Sequence, residues 1–193
     1  EVVQLYAGNP QHPVTRALAP LVDPYDITRA RLEDIMDGME MDLQYNRYPD
    51  FGSLKLYCHR VAGVVGLLSA EIFGYQDRRT LDYAAALGMA FQLTNIIRDV
   101  GEDARRDRVY LPLDEMTRHG VSESDILQAR QTDGFRRLME FQIGRALEYY
   151  RSAFEKLPAA DRRAQRAGIV MAAIYQTTLD EIRANATQGL IGS

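Results

Sequence analysis

Apolar residues recur at steps of three and four along most of the chain, and no segment alternates apolar and polar residues convincingly. A period near 3.6 residues is typical of amphipathic helices, whereas a half-buried strand needs a period of two. In residues 27–45, for example, apolar side chains occupy positions 27, 32, 35, 36, 39 and 43. We therefore predict an all-α protein.

Capping residues, glycines and prolines divide this pattern into seven helices joined by short turns, which is typical of a helical bundle. Pro112 cannot continue a helix, so the segment after residue 103 must leave the helical path. The predicted helices cover 14–22, 26–45 with Asp26 as N-cap, 53–73 with Ser53 as cap and Gly74 as end, 77–103 opened by Asp77 or Thr80, a short segment from Ser122, 133–157 from Asp133, and 161–184 from Asp161.

Length and composition indicate one globular domain over residues 1–193, because 46% of the 193 residues are hydrophobic. The net charge of −4 argues against a general nucleic-acid binder. A single cysteine, Cys58, excludes an intrachain disulfide, and with three histidines it supplies no Cys/His metal cluster. This cysteine usage fits a reducing compartment, and we expect a cytoplasmic protein.

The sequence contains no charge-free stretch long enough to span a bilayer. The longest charge-free stretch, residues 83–97, is shorter than the ~20 residues that span a bilayer, so we expect a soluble chain or one peripheral to a membrane. The opening EVVQLYAGNP has no initiator methionine and no signal-peptide order, and it resembles the end of a helix followed by a stop. We expect a fragment whose amino-terminal part is missing.

Small residues form a stripe on the predicted 53–73 helix. Ala62, Gly66, Ala70 and Gly74 recur every four residues, which leaves a shallow groove beside Val65. One interpretation is that a neighbouring helix packs closely into this groove. The alternative is that the groove is lined for a long apolar ligand.

Polar residues follow a similar stripe on the next helix. Asn95, Asp99 and Asp103 lie within an arc of about 80°, so their side chains share one face. Carboxylates on an inward face are costly unless cations neutralise them. One source of cations is the nearby arginines, which would pair as Asp99 or Glu102 with Arg106. The other is Mg²⁺, which prefers oxygen ligands and shares substrate phosphates, while arginines bind phosphate directly. An apolar groove that ends in such a site describes a pocket for an isoprenyl diphosphate.

Two stretches, YCHRVAGVVG at 57–66 and LGMAFQLTNIIRDVGEDARRDRVYLP at 87–112, resemble the squalene/phytoene synthase family of head-to-head prenyl transferases. The resemblance extends over the whole chain. MEMDLQYNRYPDF at 39–51 and GVVGLLSAEIFGY at 63–75 are most similar to bacterial presqualene diphosphate synthases of the hopanoid route. The resemblance implies an isoprenoid-synthase type helical bundle, of which this chain would be the carboxy-terminal portion.

The resemblance also implies roles for individual positions. Tyr57, Asp99 and Asp103 match catalytic positions, and Asn95, Asp99 and Asp103 match ligands of Mg²⁺, with Mn²⁺ as an alternative metal. We find no binding fingerprint for NADPH. The positions that match substrate-binding residues are Val61, Ala62, Val65, Gly66, Gln92, Arg98, Arg108, Tyr110 and Tyr175.

The implied reaction is the condensation of two farnesyl diphosphates to presqualene diphosphate, with peripheral membrane contact where the lipid product leaves. Phytoene synthase, which takes two geranylgeranyl diphosphates, and squalene synthase, which needs NADPH, are alternatives. A helical lipid-carrier or assembly module, in which the acids only pair with arginines, is an alternative from another class. The family's first aspartate-rich motif has no match here, so we expect this chain alone to be inactive.

Overall fold

The computed structural model describes residues 1–188 as helices joined by turns. Within these residues, backbone pairing between extended segments is limited to an isolated bridge between Arg47 and Val109, so the all-α prediction is confirmed. The α-helices are α1 Val2–Tyr6, α2 Pro13–Leu18, α3 Arg29–Gln44, α4 Phe51–Cys58, α5 Val64–Phe73, α6 Arg79–Arg105, α7 Leu113–Arg118, α8 Glu123–Leu127, α9 Asp133–Lys156 and α10 Arg166–Gln188, with 3₁₀ turns at Ala19–Leu21 and Ala159–Asp161.

Several predicted caps differ from the observed ones. Asp26 has a φ of 45°, in the left-handed region, and α3 begins instead after Thr28, whose side chain accepts from the backbone amide of Arg31. Asp50 caps α4 by accepting from the amide of Ser53, the residue predicted to be the cap. An N-cap needs extended backbone, which Thr28 and Asp50 have and Asp26 lacks.

Asp161 also has a different role from the predicted one. The last helix begins at Arg166, and the buried carboxylate of Asp161 instead accepts from the amides of Gln76 and Asp77 and from the hydroxyl of Thr80. These bonds satisfy two amides of the turn just before α6 and a hydroxyl in its first turn, and they depress the pKa of Asp161 although burial opposes them. Asp161 therefore anchors the start of α6.

The long helix α6 lies at the centre of the domain and packs against α5, α9 and α10. Its contact with α5 and the preceding turn is very close: a Cβ at Gly66 would lie 2.2 Å from the carbonyl oxygen of Ala84, and one at Gly88 would lie 2.3 Å from that of Ala62. Only glycine permits such backbone approach. The stripe of small residues is therefore filled by a neighbouring helix, as the first interpretation predicted.

A π-helical turn, His59–Gly63, separates α4 from α5 within what the sequence predicted as one helix. Each π turn inserts one extra residue into the helical path, so the faces before and after it are out of phase. As a result, α4 presents Tyr57 and Cys58 to the core, while α5 presents Val64 and Ala70.

The amphipathic pattern of α3 predicted the helix correctly, but its apolar stripe is not buried. Met36, Met39 and Leu43 are 58, 55 and 85% exposed. The buried side of α3 is instead marked by Gly38, where a Cβ would lie 2.8 Å from side-chain atoms of the π turn. The stripe therefore forms an open apolar face beside the bundle.

Within residues 1–188, the continuous helical stretch Phe51–Phe73 is the one segment long and apolar enough, by length and composition, to cross a membrane. Core helices of soluble proteins meet the same criterion. This stretch includes Lys55, Arg60 and Glu71, so a search for charge-free runs passes over it.

Candidate active site

The predicted polar face occupies the carboxyl-terminal half of α6, where Asn95, Asp99 and Asp103 follow one another at single helical turns. Ile97, on the opposite side of the helix, is buried, which fixes the orientation of the polar face, while Ile96 lies close to Asp103 and lines the same small cavity. Asn95 donates to Gln92 at 3.3 Å, but its own amide oxygen is buried and has no hydrogen-bond partner. An unpaired buried acceptor is unfavourable unless a ligand donates a hydrogen bond to it or a cation binds it.

Asp99 is paired with the arginine that precedes it. Nε and one terminal nitrogen of Arg98 each donate to a carboxylate oxygen of Asp99 at 2.7 Å. These bonds raise the pKa of the Arg98 guanidinium, with a smaller contribution from the hydroxyl of Tyr175 on α10. The ion pair predicted between Glu102 and Arg106 is present at 2.6 Å, whereas Asp99 pairs with Arg98 and not with Arg106.

Asp103 differs from Asp99, because its half-buried carboxylate has no hydrogen bond or ion pair among residues 1–185, whose side chains the structure describes. Burial, together with the negative charge of Asp99, raises its pKa to about 6. Arg98 pairs with Asp99 alone, and Arg106 and Arg108 only partly offset the charge of Asp103, which leaves an excess of negative charge. A proton or a bound cation would balance it.

The donor set fits Mg²⁺ better than a soft metal. Among the described residues, no group of three or more His, Cys, Asp and Glu side chains is arranged to hold a metal ion. Two carboxylates and the unpaired amide oxygen of Asn95 are hard oxygen donors, and Mg²⁺ often takes only one or two carboxylates and shares the oxygens of a substrate phosphate. The residues present therefore fit one side of such a site.

The segment after α6 is held beside the end of α3. Asp107, with a φ of 57°, makes the turn, and Arg47 donates to its carboxylate at 2.7 Å and to its carbonyl at 2.6 Å. The amide of Val109 donates to the carbonyl of Asn46 at 2.9 Å, and the amide of Leu113 donates to that of Tyr48 at 3.0 Å. This pairing places Arg108 and Tyr110 next to α3 and α4.

Asp42, near the end of α3, connects these residues, and sequence reasoning did not select it. Its Oδ1 accepts from Tyr57 at 3.2 Å, from Arg108 at 2.8 Å and from Tyr110 at 2.5 Å. The available signal was its position four residues after Gly38, which places it on the packed side of α3 and not with the exposed stripe. Asp42 is therefore a bonded acid at the packed side of α3 and not a solvated surface residue.

Three tyrosines stack around this carboxylate. The rings of Tyr48, Tyr57 and Tyr110 have centroids 5.3 to 5.8 Å apart. Burial is the largest cause of the raised pKa of each hydroxyl, and the charge of Asp42 adds to it. All three phenols are therefore protonated at neutral pH, and the predicted catalytic residue Tyr57 is a hydrogen-bond donor.

Most of the predicted site positions fall into two groups, and the positions predicted to line the groove lie apart from both. Arg108 and Tyr110 lie near Asp103 around a small cavity, and Tyr175 lies beside Arg98 with its ring 4.9 Å from that of Phe91. The groove positions diverge: Val65 is 44% exposed, whereas Ala62 and Gly66 face the backbone of α6. The structure thus brings together Asn95, Asp99, Asp103, Arg98, Gln92 and Tyr175 on one side and Tyr57, Arg108 and Tyr110 on the other.

Comparison with protein families gives a match to squalene/phytoene synthase that covers residues 1–191. The chain belongs to this family. The family predicted from 57–66 and 87–112 is therefore confirmed, as is the prenyl-transferase character of its members.

Curated relatives in the squalene/phytoene synthase family include phytoene synthase 1 of Arabidopsis thaliana chloroplasts, which is 42% identical over 190 residues. This alignment covers 94% of the chain but 44% of that relative. Phytoene synthase of Arthrospira platensis is 38% identical over 198 residues, which is 96% of the chain and 64% of the relative. The chain thus spans from less than half to about two thirds of these proteins.

Solved structures share the fold. A dehydrosqualene synthase crystallised with a ligand is 30% identical, with a TM-score of 0.83, and the match covers 96% of this chain and 66% of that one. Squalene synthase HpnC from Alicyclobacillus acidocaldarius is 24% identical with a TM-score of 0.86, covering 97% and 71%. The predicted isoprenoid-synthase type bundle is confirmed by these matches. The presqualene subtype is not, since the curated relatives above are phytoene synthases.

Proposed function

We propose that the protein represented by this chain joins two isoprenyl diphosphates head to head with release of diphosphate. The observation that carries the proposal is the face of α6, where the unpaired oxygen of Asn95 and the unpaired carboxylate of Asp103 flank Asp99. These are hard oxygen donors without sufficient protein cations, beside two arginines, in a chain of the squalene/phytoene synthase family.

In the proposed reaction the C1–O bond of one substrate breaks, and diphosphate leaves with the electron pair. The allylic cation that remains is attacked by the C2–C3 double bond of the second substrate. Loss of a proton from the attacked C1 closes a cyclopropane, which retains the second diphosphate. Water would quench the cation, so an apolar surrounding is needed.

Different groups would bind the metal, bind the phosphates and accept the proton. Asn95, Asp99 and Asp103 would hold Mg²⁺, which would neutralise charge on the departing diphosphate. Arg98 and Arg108 would bind phosphate oxygens, as guanidinium groups do with two parallel hydrogen bonds. Because the phenols around Asp42 are protonated donors, the released diphosphate is the better acceptor for the lost proton.

Identity to relatives bears on the substrate. The relatives with 38 to 42% identity are named phytoene synthases, and the structural match at 30% is named a dehydrosqualene synthase. The higher identity to the phytoene synthases favours two C20 geranylgeranyl diphosphates as substrates. The presqualene reaction with two C15 farnesyl diphosphates is the second candidate, and it is favoured by the stretches at 39–51 and 63–75.

The test is Mg²⁺-dependent binding of non-hydrolysable farnesyl and geranylgeranyl S-thiolodiphosphates to the purified full-length protein, measured by calorimetry, because this chain alone is expected to supply one side of the metal site. We expect binding that chelation abolishes and that Asp99→Ala weakens at least tenfold with unchanged helical circular dichroism. Glu102→Ala, on the same helix with an exposed carboxylate, is the matched control and should bind like the wild type. Metal-independent binding of both analogues would favour a lipid-carrier module. A product assay with both natural diphosphates then identifies the chain length.

A further inference from the structure

The carboxylate of Asp42 has more partners than a helix-surface acid needs. Oδ1 receives the hydroxyls of Tyr57 and Tyr110 and one guanidinium nitrogen of Arg108, and the same nitrogen donates to the Asp42 carbonyl at 2.8 Å. The side chain of Asp42 is 33% exposed and that of Arg108 is 28% exposed. The cluster is therefore at the edge of the bundle and open to a ligand.

The contacts close into a ring. The Nη1 nitrogen of Arg108 lies 3.1 Å from the Tyr110 hydroxyl, and that hydroxyl donates to Asp42. Hydrogen bonds that share donors and acceptors in this way strengthen one another and restrict rotation. The four residues come from three separate segments: Asp42 from α3, Tyr57 from α4, and Arg108 with Tyr110 from the segment after α6.

The ring uses one nitrogen of Arg108 and leaves the rest of its fork available. The side-chain hydrogen bonds of Arg108 among residues 1–185 all run from Nη1, so Nε and Nη2 keep their donors. The backbone amide of Arg108 donates to the carbonyl of Asp103, which ties this arginine to the polar face of α6. A planar fork fixed at one corner presents its other edge in a defined direction.

We propose that Asp42 is a positioning residue, which together with the hydroxyls of Tyr57 and Tyr110 fixes Arg108 at Nη1, so that its Nε and Nη2 donors face a diphosphate bound beside Asp103. This inference rests on the proposed function for the identity of the ligand. It predicts that Asp42 itself does not touch the substrate. Its removal acts through the orientation of Arg108 and through the acidity of the tyrosines.

The test compares Asp42→Asn with Glu40→Gln as a matched control. Glu40 lies on the same helix and is exposed, and its carboxylate accepts a hydrogen bond from Gln44. Calorimetry measures Mg²⁺-dependent binding of the S-thiolodiphosphate analogues. NMR of [ζ-¹³C]tyrosine, with the Tyr110 signal assigned by Tyr110→Phe, measures ionisation of that hydroxyl.

We expect Asp42→Asn to weaken analogue binding about tenfold, because it weakens the charge-assisted hydrogen bond that holds Arg108. Tyr110 should also ionise at lower pH, because the negative charge of Asp42 opposes ionisation of its neighbour. This titration reports whether Asp42 contacts Tyr110 in solution, and weaker analogue binding with unchanged helical circular dichroism distinguishes positioning from a structural role. Glu40→Gln should change neither measurement.

Two results would overturn the inference. If the wild type binds the analogue and Asp42→Asn binds equally well, the positioning role is wrong while the proposed function stands. If the wild type does not bind the analogue, the proposed function fails. The pH at which Tyr110 ionises in the wild type and in Asp42→Asn then tests the contacts of Asp42 independently of any ligand. Should Asp42→Asn lose helical circular dichroism, Asp42→Glu replaces it: the charge is kept but displaced, so weaker binding supports the role and unchanged binding refutes it.

Discussion

Replacing Asp103 by asparagine should stabilise the metal-free protein, although it removes a proposed metal ligand. The carboxylate is half-buried next to Asp99, and both effects raise its pKa from 3.8 to about 6. Its ionised form therefore destabilises the fold. The gap between the two pKa values corresponds to about 3 kcal/mol at 1.36 kcal/mol per pKa unit, and partial exposure reduces this to about 1–3 kcal/mol.

The pH dependence has a definite sign. Above pH 6 both the folded and the unfolded protein carry ionised Asp103, and the full penalty applies. As the pH falls from about 7 to 4, the folded protein takes up the proton first, so the penalty shrinks and the metal-free wild type gains stability from this residue. Asp103→Asn removes the penalty at every pH.

Urea denaturation with a chelator at pH 7.5 and pH 4.5 measures this difference. We expect Asp103→Asn to raise the free energy of unfolding at pH 7.5 and to have much less effect at pH 4.5. Added Mg²⁺ should stabilise the wild type and leave Asp103→Asn unchanged. Glu102→Gln serves as the control, because its exposed pair with Arg106 contributes little. A variant that is less stable at pH 7.5, or a difference independent of pH, would refute the reasoning.

Three further changes test the packing that holds the site. Gly66→Ala forces a Cβ to within 2.2 Å of the Ala84 carbonyl, so we expect a loss of about 3 kcal/mol or more by urea denaturation. Gly144→Ala is the control: it has no atom within 4 Å and should stabilise α9 by up to about 1 kcal/mol. Arg145→Met leaves Glu115, which is 4% exposed, without its charge partner, and we expect a loss of about 3–5 kcal/mol that lowering the pH partly reverses because protonation removes the buried charge. Equal stability of Arg145→Met and the wild type would contradict this.

The polar face of the site could be predicted because it is encoded within one helix. Asn95, Asp99 and Asp103 share a face by spacing alone, whatever packs around α6. The carboxylate partner of Arg98 was missed for a related reason: spacing rules consider residues three and four apart, whereas Arg98 pairs with its immediate neighbour through a flexible side chain.

Contacts between distant segments could not be predicted in this way. Asp42 meets Arg108 only because residues 46–49 pair with the segment after α6, and that pairing has no periodic signal. The small-residue stripe predicted close packing or a ligand groove but could not choose between them. The choice depended on Gly88 of α6, which meets the Ala62 carbonyl.

The π turn at His59–Gly63 has a consequence for insertions and deletions. Tyr57 before the turn belongs to the tyrosine cluster, and Gly66 after it belongs to the seam with α6. Loss of one residue between them would restore ordinary helix and rotate one surface by about 100° against the other. The two surfaces could then not engage together. The length of this turn therefore sets the rotation of α4 relative to α5, and a one-residue deletion within it should be more harmful than most substitutions nearby.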